Sequence, residues 1–226
     1  MYIYRVTYIC WMLSKVVAIL NPKGGSGKTT LATNVGGCLH KRAYKTLIVD
    51  TDSQGSALEW QEAQSDNAPD LPLVVGIDKP VLHKKLPSIV GDYDFVIIDG
   101  AALVSEITVS AVKVADIVLI PVRHSGFDIR AVDTVVDAVQ TMQSISGGRP
   151  MASFVISSQA SGSILARSVD DALSQMELPV FQSRTSRRVA YEEAAALGVT
   201  VIDLDGRQKA SQEIESITSE LLNLLS

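Results

Sequence analysis

Residues 22–30 read PKGGSGKTT, and the fold class is predicted from this stretch and its neighbours. The residues before it, 16–20, are the apolar run VVAIL, which predicts a fully buried strand. The residues after it, from 28 to about 41, are predicted to form a helix. Glycines between a strand and a helix start let backbone N–H groups surround an anion, and the helix N-terminus adds partial positive charge. The stretch therefore predicts a phosphate-binding loop, and a glycine turn that binds nothing is the alternative.

The loop supplies ligands for both a nucleotide and a metal ion. In such loops the lysine before the hydroxyl residue reaches the β- and γ-phosphates, and the hydroxyl binds Mg²⁺. Lys28 and Thr29 occupy these two positions. The residues predicted to bind the nucleotide are Gly24, Gly25, Ser26, Gly27, Lys28, Thr29 and Thr30.

The loop departs from the common pattern GxxxxGK[ST] at its first position, where Pro22 stands, and it contains an additional lysine, Lys23. In these features it resembles the deviant Walker A loop of the ParA/MinD ATPases. The resemblance implies that the nucleotide is ATP and that Lys23 reaches across a dimer to the partner subunit's nucleotide. It extends from about residue 16 onward and is strongest in this loop, at residues 50–54 and at Asp99.

Two carboxylates stand at the end of the second predicted strand. The carboxyl ends of parallel strands are where α/β sheets bind ligands, so Asp50 and Asp52 are candidate site residues. The family has D-x-D-P-Q here, and Ser53 replaces its proline in this chain. The resemblance implies that Asp52 positions or activates the attacking water, so that Lys23, Lys28 and Asp52 are the predicted catalytic residues. Asp50 would support the metal site, and the alternative is that both aspartates cap the next helix.

A third carboxylate closes the apolar run of residues 95–98 and is followed by Gly100. This pattern resembles Walker B, which implies that Asp99 holds Mg²⁺ through a water. The alternative is a strand that ends in an ordinary turn. The predicted metal site thus consists of Thr29, Asp50 and Asp99. Residues 100–102 would be the switch that senses the γ-phosphate, because a glycine changes its backbone angles at low cost.

The composition is that of a globular protein with one domain. The chain has 226 residues, a length that is enough for one well-buried α/β domain. Of these residues 46% are hydrophobic, and the net charge is −5. No apolar stretch approaches the roughly 20 residues needed to span a bilayer. Cys10 and Cys38 lack metal-ligand spacing and favour a reduced, cytoplasmic compartment.

Apolar runs that alternate with helical segments predict a mostly parallel, twisted sheet with helices on both faces. With the resemblance, the predicted fold is a single-domain α/β P-loop NTPase. Residues 1–11 are predicted to be an N-terminal extension and 12–226 the ParA-type ATPase domain, with an extra edge strand over 1–11 as the alternative. The predicted strands are 16–20, 46–50, 73–76, 94–99, 116–122 and 152–157, with a last strand region that begins at 179–182. The predicted helices are 28–41, 57–63, 79–90 with a break or kink at Pro87, 129–143, 164–176 and 209–226.

Residues 184–194 read RTSRRVAYEEA. Three arginines next to hydroxyl side chains suit contacts with phosphates. They predict a basic face that binds DNA without sequence preference and consists of Arg184, Arg187, Arg188, Arg207 and Lys209. The alternative is an exposed loop that is partly ion-paired with Glu192 and Glu193.

The C-terminal helix is predicted to pack on the domain and not on a membrane. Its apolar face is predicted at residues 214, 217, 221, 224 and 225. The opposite face lacks the lysines and arginines that a helix on an anionic membrane needs.

Taken together, the resemblance implies a partition ATPase most similar to the small plasmid-partition (ParF-like) members. Such a protein forms a homodimer on ATP, binds nucleoid DNA and is stimulated by a small centromere-binding protein, either ParB-like or a ribbon-helix-helix protein. It would be cytoplasmic and nucleoid-associated. The alternatives are a MinD-like membrane-associated regulator, a positioner of protein cargo, and a metabolic or electron-transfer enzyme such as an iron protein. Slow intrinsic turnover is expected, because no arginine finger is evident near the phosphate loops.

Overall fold

A parallel sheet lies at the centre of the protein. The computed structural model describes residues 14–102, 106–123, 132–159, 172–173 and 175–226. Within these residues, six strands pair in the order β3-β2-β4-β1-β5-β6, and every pair is parallel. The strands are β1 (Lys15–Ile19), β2 (Thr46–Asp50), β3 (Leu73–Gly76), β4 (Phe95–Asp99), β5 (Ile117–Val122) and β6 (Met151–Ile156).

Helices connect and cover these strands. They are α1 (Lys28–Lys41), α2 (Ser56–Glu62), α3 (Leu82–Lys85), α4 (Glu106–Val114), α5 (Asp133–Ile145), α6 (Val189–Ala196) and α7 (Gln208–Leu225). Two 3₁₀ turns, Leu86–Ser88 and Val90–Asp92, follow α3. No helix in these ranges is long and apolar enough to cross a membrane.

The sheet separates two hydrophobic layers, because successive side chains of a strand point to opposite faces. Along β1, Val16 and Ala18 face one layer, whereas Val17 and Ile19 face the other. The first layer contains buried residues of α3, α4 and α5, and the second contains those of α1, α2, α6 and α7. The predicted α/β fold with helices on both faces is therefore confirmed.

Two predicted elements differ in the structure. The segment predicted as a helix over 79–90 is only a short helix followed by 3₁₀ turns, since Pro87 has no N–H to continue an α-helix. The last strand region, predicted to begin at 179–182, is present only as isolated parallel bridges, of Val180 with Phe154 and of Ser186 with Gln159. The pairing with β6 is interrupted where the N–H groups of Gln182 and Ser183 donate to the Glu220 carboxylate on α7, and it resumes where the Thr185 N–H donates to the Ile156 carbonyl at 3.0 Å.

The C-terminal helix packs on the domain, as predicted. Ile214, Ile217 and Leu221 are fully buried. The predicted face is too wide at its end, because Leu224 is 43% exposed. Arg42, after α1, donates to the Glu215 carbonyl at 3.0 Å and so attaches the start of the domain to α7.

Some predictions lie outside the described residues. Residues 1–13 are outside them, so the predicted extension over 1–11 stays a prediction. Residues 129–131 of one predicted helix, and residues 164–171 and 174 of another, are also outside. Near the end of that segment, Ala172 and Leu173 are helical and 175–177 form a turn.

The register of the sheet places the predicted site residues together. Ile19, the last residue of β1, pairs with Asp99, and Asp50 at the end of β2 also pairs with Asp99. The loop after β1 and both aspartates therefore meet at the carboxyl edge of the sheet.

Candidate nucleotide site

The glycine-rich loop wraps around the N-terminus of α1. Gly25 and Gly27 have φ angles of 69° and 100°, values that favour glycine. At Gly27 a Cβ would also overlap the Ser157 hydroxyl. Among the described residues no side chain caps α1, which leaves its first N–H groups for an anion. The loop has the geometry expected of a phosphate cradle.

Asn21 fastens this loop to the neighbouring strand. Its Nδ2 donates to the Pro121 carbonyl at 2.7 Å, and its Oδ1 accepts from the Lys23 N–H at 2.8 Å. The side chain is buried. Asn21 was not singled out from the sequence, because an asparagine after a strand carries no signal of a partner 100 residues away.

Lys28 turns back into the loop. Its Nζ donates to the Lys23 carbonyl at 3.1 Å. Burial lowers the pKa of this ammonium, while the negative charges of Asp99 and Asp52 act in the opposite direction. A cation thus contacts the loop and interacts with the charges of both carboxylates, where the sequence predicts the β- and γ-phosphates.

Asp99 carries the strongest sign of a metal ion. Burial raises its pKa to about 7, a hydrogen bond with the Thr29 hydroxyl opposes this rise, and the Asp50 charge adds to it. Its Oδ1 is buried and has no hydrogen-bond partner among the described residues. An unpaired carboxylate oxygen next to a threonine hydroxyl fits Mg²⁺, which prefers oxygen ligands.

Asp50 makes the capping contacts that were the alternative to a metal role. Its Oδ2 accepts from the N–H groups of Ala57 and Leu58 at 2.8 and 3.2 Å, at the start of α2. Its Oδ1 accepts from the N–H of Asp52 at 3.0 Å. Backbone donors therefore use both oxygens, and the metal role of Asp50 stays a prediction.

Asp52 joins the second loop to the predicted switch. Its Oδ1 accepts from the Gln54 N–H at 3.0 Å, and its Oδ2 accepts from the Ala102 N–H at 3.1 Å. Gly100, the first residue of the switch, lies so close to β1 that a Cβ would be 2.7 Å from the Ile19 carbonyl oxygen. The switch is thus held between the first strand and the candidate catalytic carboxylate.

A cavity of about 630 Å³ opens beside the phosphate loop. This volume is in the range of small-molecule sites. Its lining combines residues of the loop and α1, residues that follow β5 and β6, and residues in and before α6, namely Lys23, Gly27, Thr30, Arg123, Ser157, Ser158, Thr185, Ser186, Arg187, Arg188, Tyr191, Glu192 and Ala195. Arg123 and Tyr191 were missed from the sequence. The available signal for Arg123 was its position directly after a buried strand.

Two of the five predicted DNA-binding residues are ion-paired with glutamates. Arg188 donates to Glu213 Oε1 from Nε and Nη2, at 2.9 and 2.7 Å. Arg207 pairs with Glu193 through two hydrogen bonds of 2.9 and 2.8 Å.

The other three predicted residues differ in exposure and position. Arg187 and Lys209 are exposed, and Arg184 is half-buried. A second cavity of about 500 Å³ is lined by Arg187, Arg188, Arg207 and Lys209, but not by Arg184. The ion-paired loop that was the alternative is thus present in part, with Glu213 as the partner of Arg188.

Glu213 on α7 connects this loop to the cavity. Besides Arg188, it accepts from the Ser186 N–H at 3.1 Å and from the Tyr191 hydroxyl at 2.8 Å. Burial acts to raise its pKa, but hydrogen bonds from Arg188, Ser186 and Tyr191 outweigh burial and hold the pKa below its ordinary value. Four hydrogen bonds therefore converge on one carboxylate.

Comparison with known proteins matches this architecture. A family model described as the CobQ/CobB/MinD/ParA nucleotide binding domain matches residues 17–202. The maintenance of carboxysome distribution protein A of Halothiobacillus neapolitanus is 30% identical over 210 residues, which cover 91% of this chain and 95% of that protein. The sporulation initiation inhibitor protein Soj of Bacillus subtilis is 23% identical over 249 residues, covering 92% and 98%.

A solved structure gives the same result for the fold. The ATP complex of a Cyanothece McdA variant superposes with a TM-score of 0.76 at 18% identity, and the match covers 92% of this chain and 96% of that one.

Proposed function

The chain belongs to the CobQ/CobB/MinD/ParA nucleotide-binding family, and on that premise we propose that it is an ATPase that dimerises on ATP to position a cargo. The cargo is plasmid or chromosomal DNA, and the ATPase itself binds the DNA of the nucleoid without sequence preference. A centromere-binding partner stimulates hydrolysis. The observation that carries the proposal is the buried, unpaired Oδ1 of Asp99 next to Thr29 and close to Lys28. That arrangement suits a magnesium–triphosphate complex better than a neutral ligand.

The reaction is the transfer of the γ-phosphoryl group of ATP to water, which yields ADP and phosphate. Catalysis of this kind consists mainly of positioning and charge neutralisation. The N–H groups from Gly24 to Thr30 bind the phosphates, and Lys28 neutralises charge on the β- and γ-phosphates. Bound Mg²⁺, held by Thr29 and Asp99, would supply further neutralisation.

Asp52 orients the attacking water and accepts its proton in this mechanism. The hydrogen bond from Ala102 to Asp52 supports this role, because it ties the carboxylate to the segment expected to sense the γ-phosphate. Asp50 positions Asp52 by accepting its N–H. Phosphate release by Asp52→Ala should fall at least about 100-fold if Asp52 is the base, in line with typical acid–base contributions. Unchanged release would refute this assignment.

Lys23 links the nucleotide to dimerisation. Lys23→Gln should bind ATP as a monomer but lose hydrolysis and cooperative DNA binding. Lys79→Gln, a change at an exposed lysine outside the loop, is the matched control. Size-exclusion chromatography with a non-hydrolysable ATP analogue gives the oligomeric state. A Lys23→Gln protein with normal partner-stimulated ATPase would contradict the role of this lysine.

DNA binding is proposed for the face that contains Arg187 and Lys209. These two side chains are exposed, whereas Arg188 and Arg207 are engaged by glutamates. Lys209→Ala is the cleaner probe, because Lys209 does not line the nucleotide cavity. Each lost phosphate contact should lower the salt dependence of binding by about 0.9 in the log–log slope. DNA affinity and slope equal to wild type in an Arg187→Ala/Lys209→Ala protein with intact ATP binding would exclude this face.

A second candidate function is the positioning of a protein cargo. The observation in its favour is the 30% identity to a protein named for carboxysome distribution. The ATPase cycle would be the same, so the partner decides between the two functions. The two classes of partner, a purified centromere-binding protein and a purified adaptor of the cargo, should be compared for stimulation of ATP hydrolysis. If only the adaptor stimulates hydrolysis, the cargo is a protein and not DNA.

Membrane positioning of the MinD type is the weaker alternative. The last turn of α7 has no basic residue, and its apolar residues Ile214, Ile217 and Leu221 are buried in the domain. The helix therefore lacks the free apolar face, and its last turn lacks the basic residues, with which a helix binds an anionic membrane. We expect no ATP-dependent co-sedimentation with anionic liposomes, and clear co-sedimentation would favour the MinD-like function.

A further inference from the structure

Arg123 directly follows β5 and lies next to the phosphate loop. Ile19 of β1 pairs with Leu119 of β5, so the segments that follow these two strands are neighbours. The hydrogen bond from Asn21 to the Pro121 carbonyl holds them together. The Arg123 guanidinium reaches the loop itself: its Nη1 is 3.9 Å from the position that a Cβ on Gly25 would have.

The same guanidinium lines the nucleotide cavity. Lys23 and Gly27 of the loop also line it. The Arg123 side chain is exposed, and no carboxylate of the described residues forms an ion pair with it. Arg188, another arginine of the cavity, is neutralised by Glu213. Arg123 therefore brings to the site a guanidinium that no described carboxylate binds directly.

A planar guanidinium in this position suits one class of ligand. Its N–H groups match two oxygens of a phosphate group, and such charge-assisted pairs are stronger than neutral hydrogen bonds. Gly25 precedes Gly27, the residue at the start of α1, and it lies in the part of the loop where the Lys28 ammonium contacts the Lys23 carbonyl. Since that ammonium is expected at the β- and γ-phosphates, Arg123 is closest to this end of a bound triphosphate.

We propose that Arg123 is a phosphate-binding residue that contacts, in cis, the β- and γ-phosphates of the nucleotide on its own loop. The inference rests on the proposed ATPase function. It assigns to this chain the arginine that the sequence did not reveal. A cis arginine of this kind stabilises charge as the bond between the γ-phosphorus and its bridging oxygen breaks.

The test compares Arg123→Ala and Arg123→Lys with the control Arg149→Ala. Arg149 is also exposed, but it precedes β6 and pairs with Asp116 at the opposite edge of the sheet. Calorimetric titration with Mg²⁺ and ATPγS, ADP or AMP measures affinity without turnover. For Arg123→Ala we expect the affinity for ATPγS to fall about tenfold or more, as for a lost hydrogen bond to a charged group. The affinity for ADP should fall less, and the affinity for AMP should not change.

The lysine variant separates charge from shape. Arg123→Lys should recover part of the ATPγS affinity, because it keeps the charge but lacks the planar fork. Arg149→Ala should bind all three nucleotides like wild type. Steady-state phosphate release by Arg123→Ala should also fall by about tenfold or more, since the same contact strengthens in the transition state.

A second background tests whether the contact is made in cis. The affinity loss of Arg123→Ala should persist when it is combined with Lys23→Gln, which is proposed to keep the protein monomeric. Disappearance of the loss in that background would mean that Arg123 contacts the nucleotide across a dimer, and the cis assignment would be overturned.

Other outcomes overturn the proposal in different ways. Equal weakening of AMP and ATPγS would show that Arg123 merely supports the loop. An Arg123→Ala protein with wild-type affinity for all nucleotides would exclude any phosphate contact. A wild-type protein that binds no ATPγS would refute the proposed function itself, which distinguishes this failure from the failure of the Arg123 assignment.

Discussion

The carboxylate of Glu213 should contribute measurably to stability, and Glu213→Gln is the perturbation that tests it. The carboxylate accepts two hydrogen bonds from Arg188, one from the Ser186 N–H and one from the Tyr191 hydroxyl. Glutamine keeps the shape and one acceptor oxygen, but it loses the charge and offers an NH₂ group to donors at the other oxygen. The substitution therefore breaks at least one hydrogen bond and removes the ionic component from the others.

The magnitude follows from the burial of the pair. The side chains of Arg188 and Glu213 are 31% and 14% exposed, so solvent screens the pair only in part. Hydrogen bonds to charged groups contribute about 1.5–3 kcal/mol each, and a partly screened set should lose about 2 kcal/mol in total. For a domain of this size, about 2–4 °C of melting temperature corresponds to each kcal/mol, which predicts a decrease of about 4–8 °C.

Thermal unfolding followed by circular dichroism is the assay. Glu215→Gln is the matched control, because Glu215 is an exposed glutamate on the same helix. The control should melt within about 1 °C of wild type, as surface substitutions usually do. A Glu213→Gln protein with the same melting temperature as the control would refute the reasoning, and Arg188 would then be a candidate for binding DNA.

Three further predictions concern charge and backbone geometry. Because the pKa of Glu213 is held below its ordinary value, the carboxylate's contribution to the free energy of unfolding is fully present above about pH 4.3 and is lost as the pH falls through the folded-state pKa. The difference in this free energy between wild type and Glu213→Gln, measured by urea unfolding, should therefore be constant from about pH 6 to 8 and shrink below about pH 4. Asp99→Asn should stabilise the nucleotide-free protein by about 1–3 kcal/mol in urea, because it removes a buried carboxylate near Asp50 and Asp52, while Mg²⁺-dependent hydrolysis is lost; a destabilised variant would show that this charge is compensated. Gly198→Ala should cost about 2–4 kcal/mol, because φ is +65° and the Cβ would be 2.6 Å from the Trp60 carbonyl oxygen. Gly206→Ala, with a similar φ of +72° and open space around its Cβ, should cost only about 1–2 kcal/mol, and equal losses for both glycines would contradict the predicted overlap at Gly198.

The parts of the site that the sequence predicted depend on neighbours along the chain. The phosphate loop and Asp52 come shortly after buried strands, and Asp99 is the last residue of one. Parallel pairing then brings the ends of these strands together without further information. The fold class was predictable for the same reason, since strands and helices alternate along the chain.

The parts that were missed depend on contacts between distant residues. Arg188 meets Glu213 only because α7 packs beside the loop before α6, and nothing local in either segment specifies this pair. The strand region predicted to begin at 179–182 has a suitable composition, but it forms only isolated bridges, because Glu220 of α7 accepts the N–H groups of Gln182 and Ser183. Arg123 was overlooked because its relation to Gly25 comes from the pairing of β1 with β5.

The turn between α5 and β6 offers a place to attach a fluorescent label. Gly147 and Gly148 are exposed, and a Cβ on either would meet no atom of the described residues within 4 Å. The turn precedes β6, whereas the candidate nucleotide site is built on the segments that follow the strands. At about 3.3 Å per residue, a strand as long as β6 separates the two edges by about 20 Å. A dye at this turn would therefore report where the protein moves in a cell without touching the residues that would drive that movement.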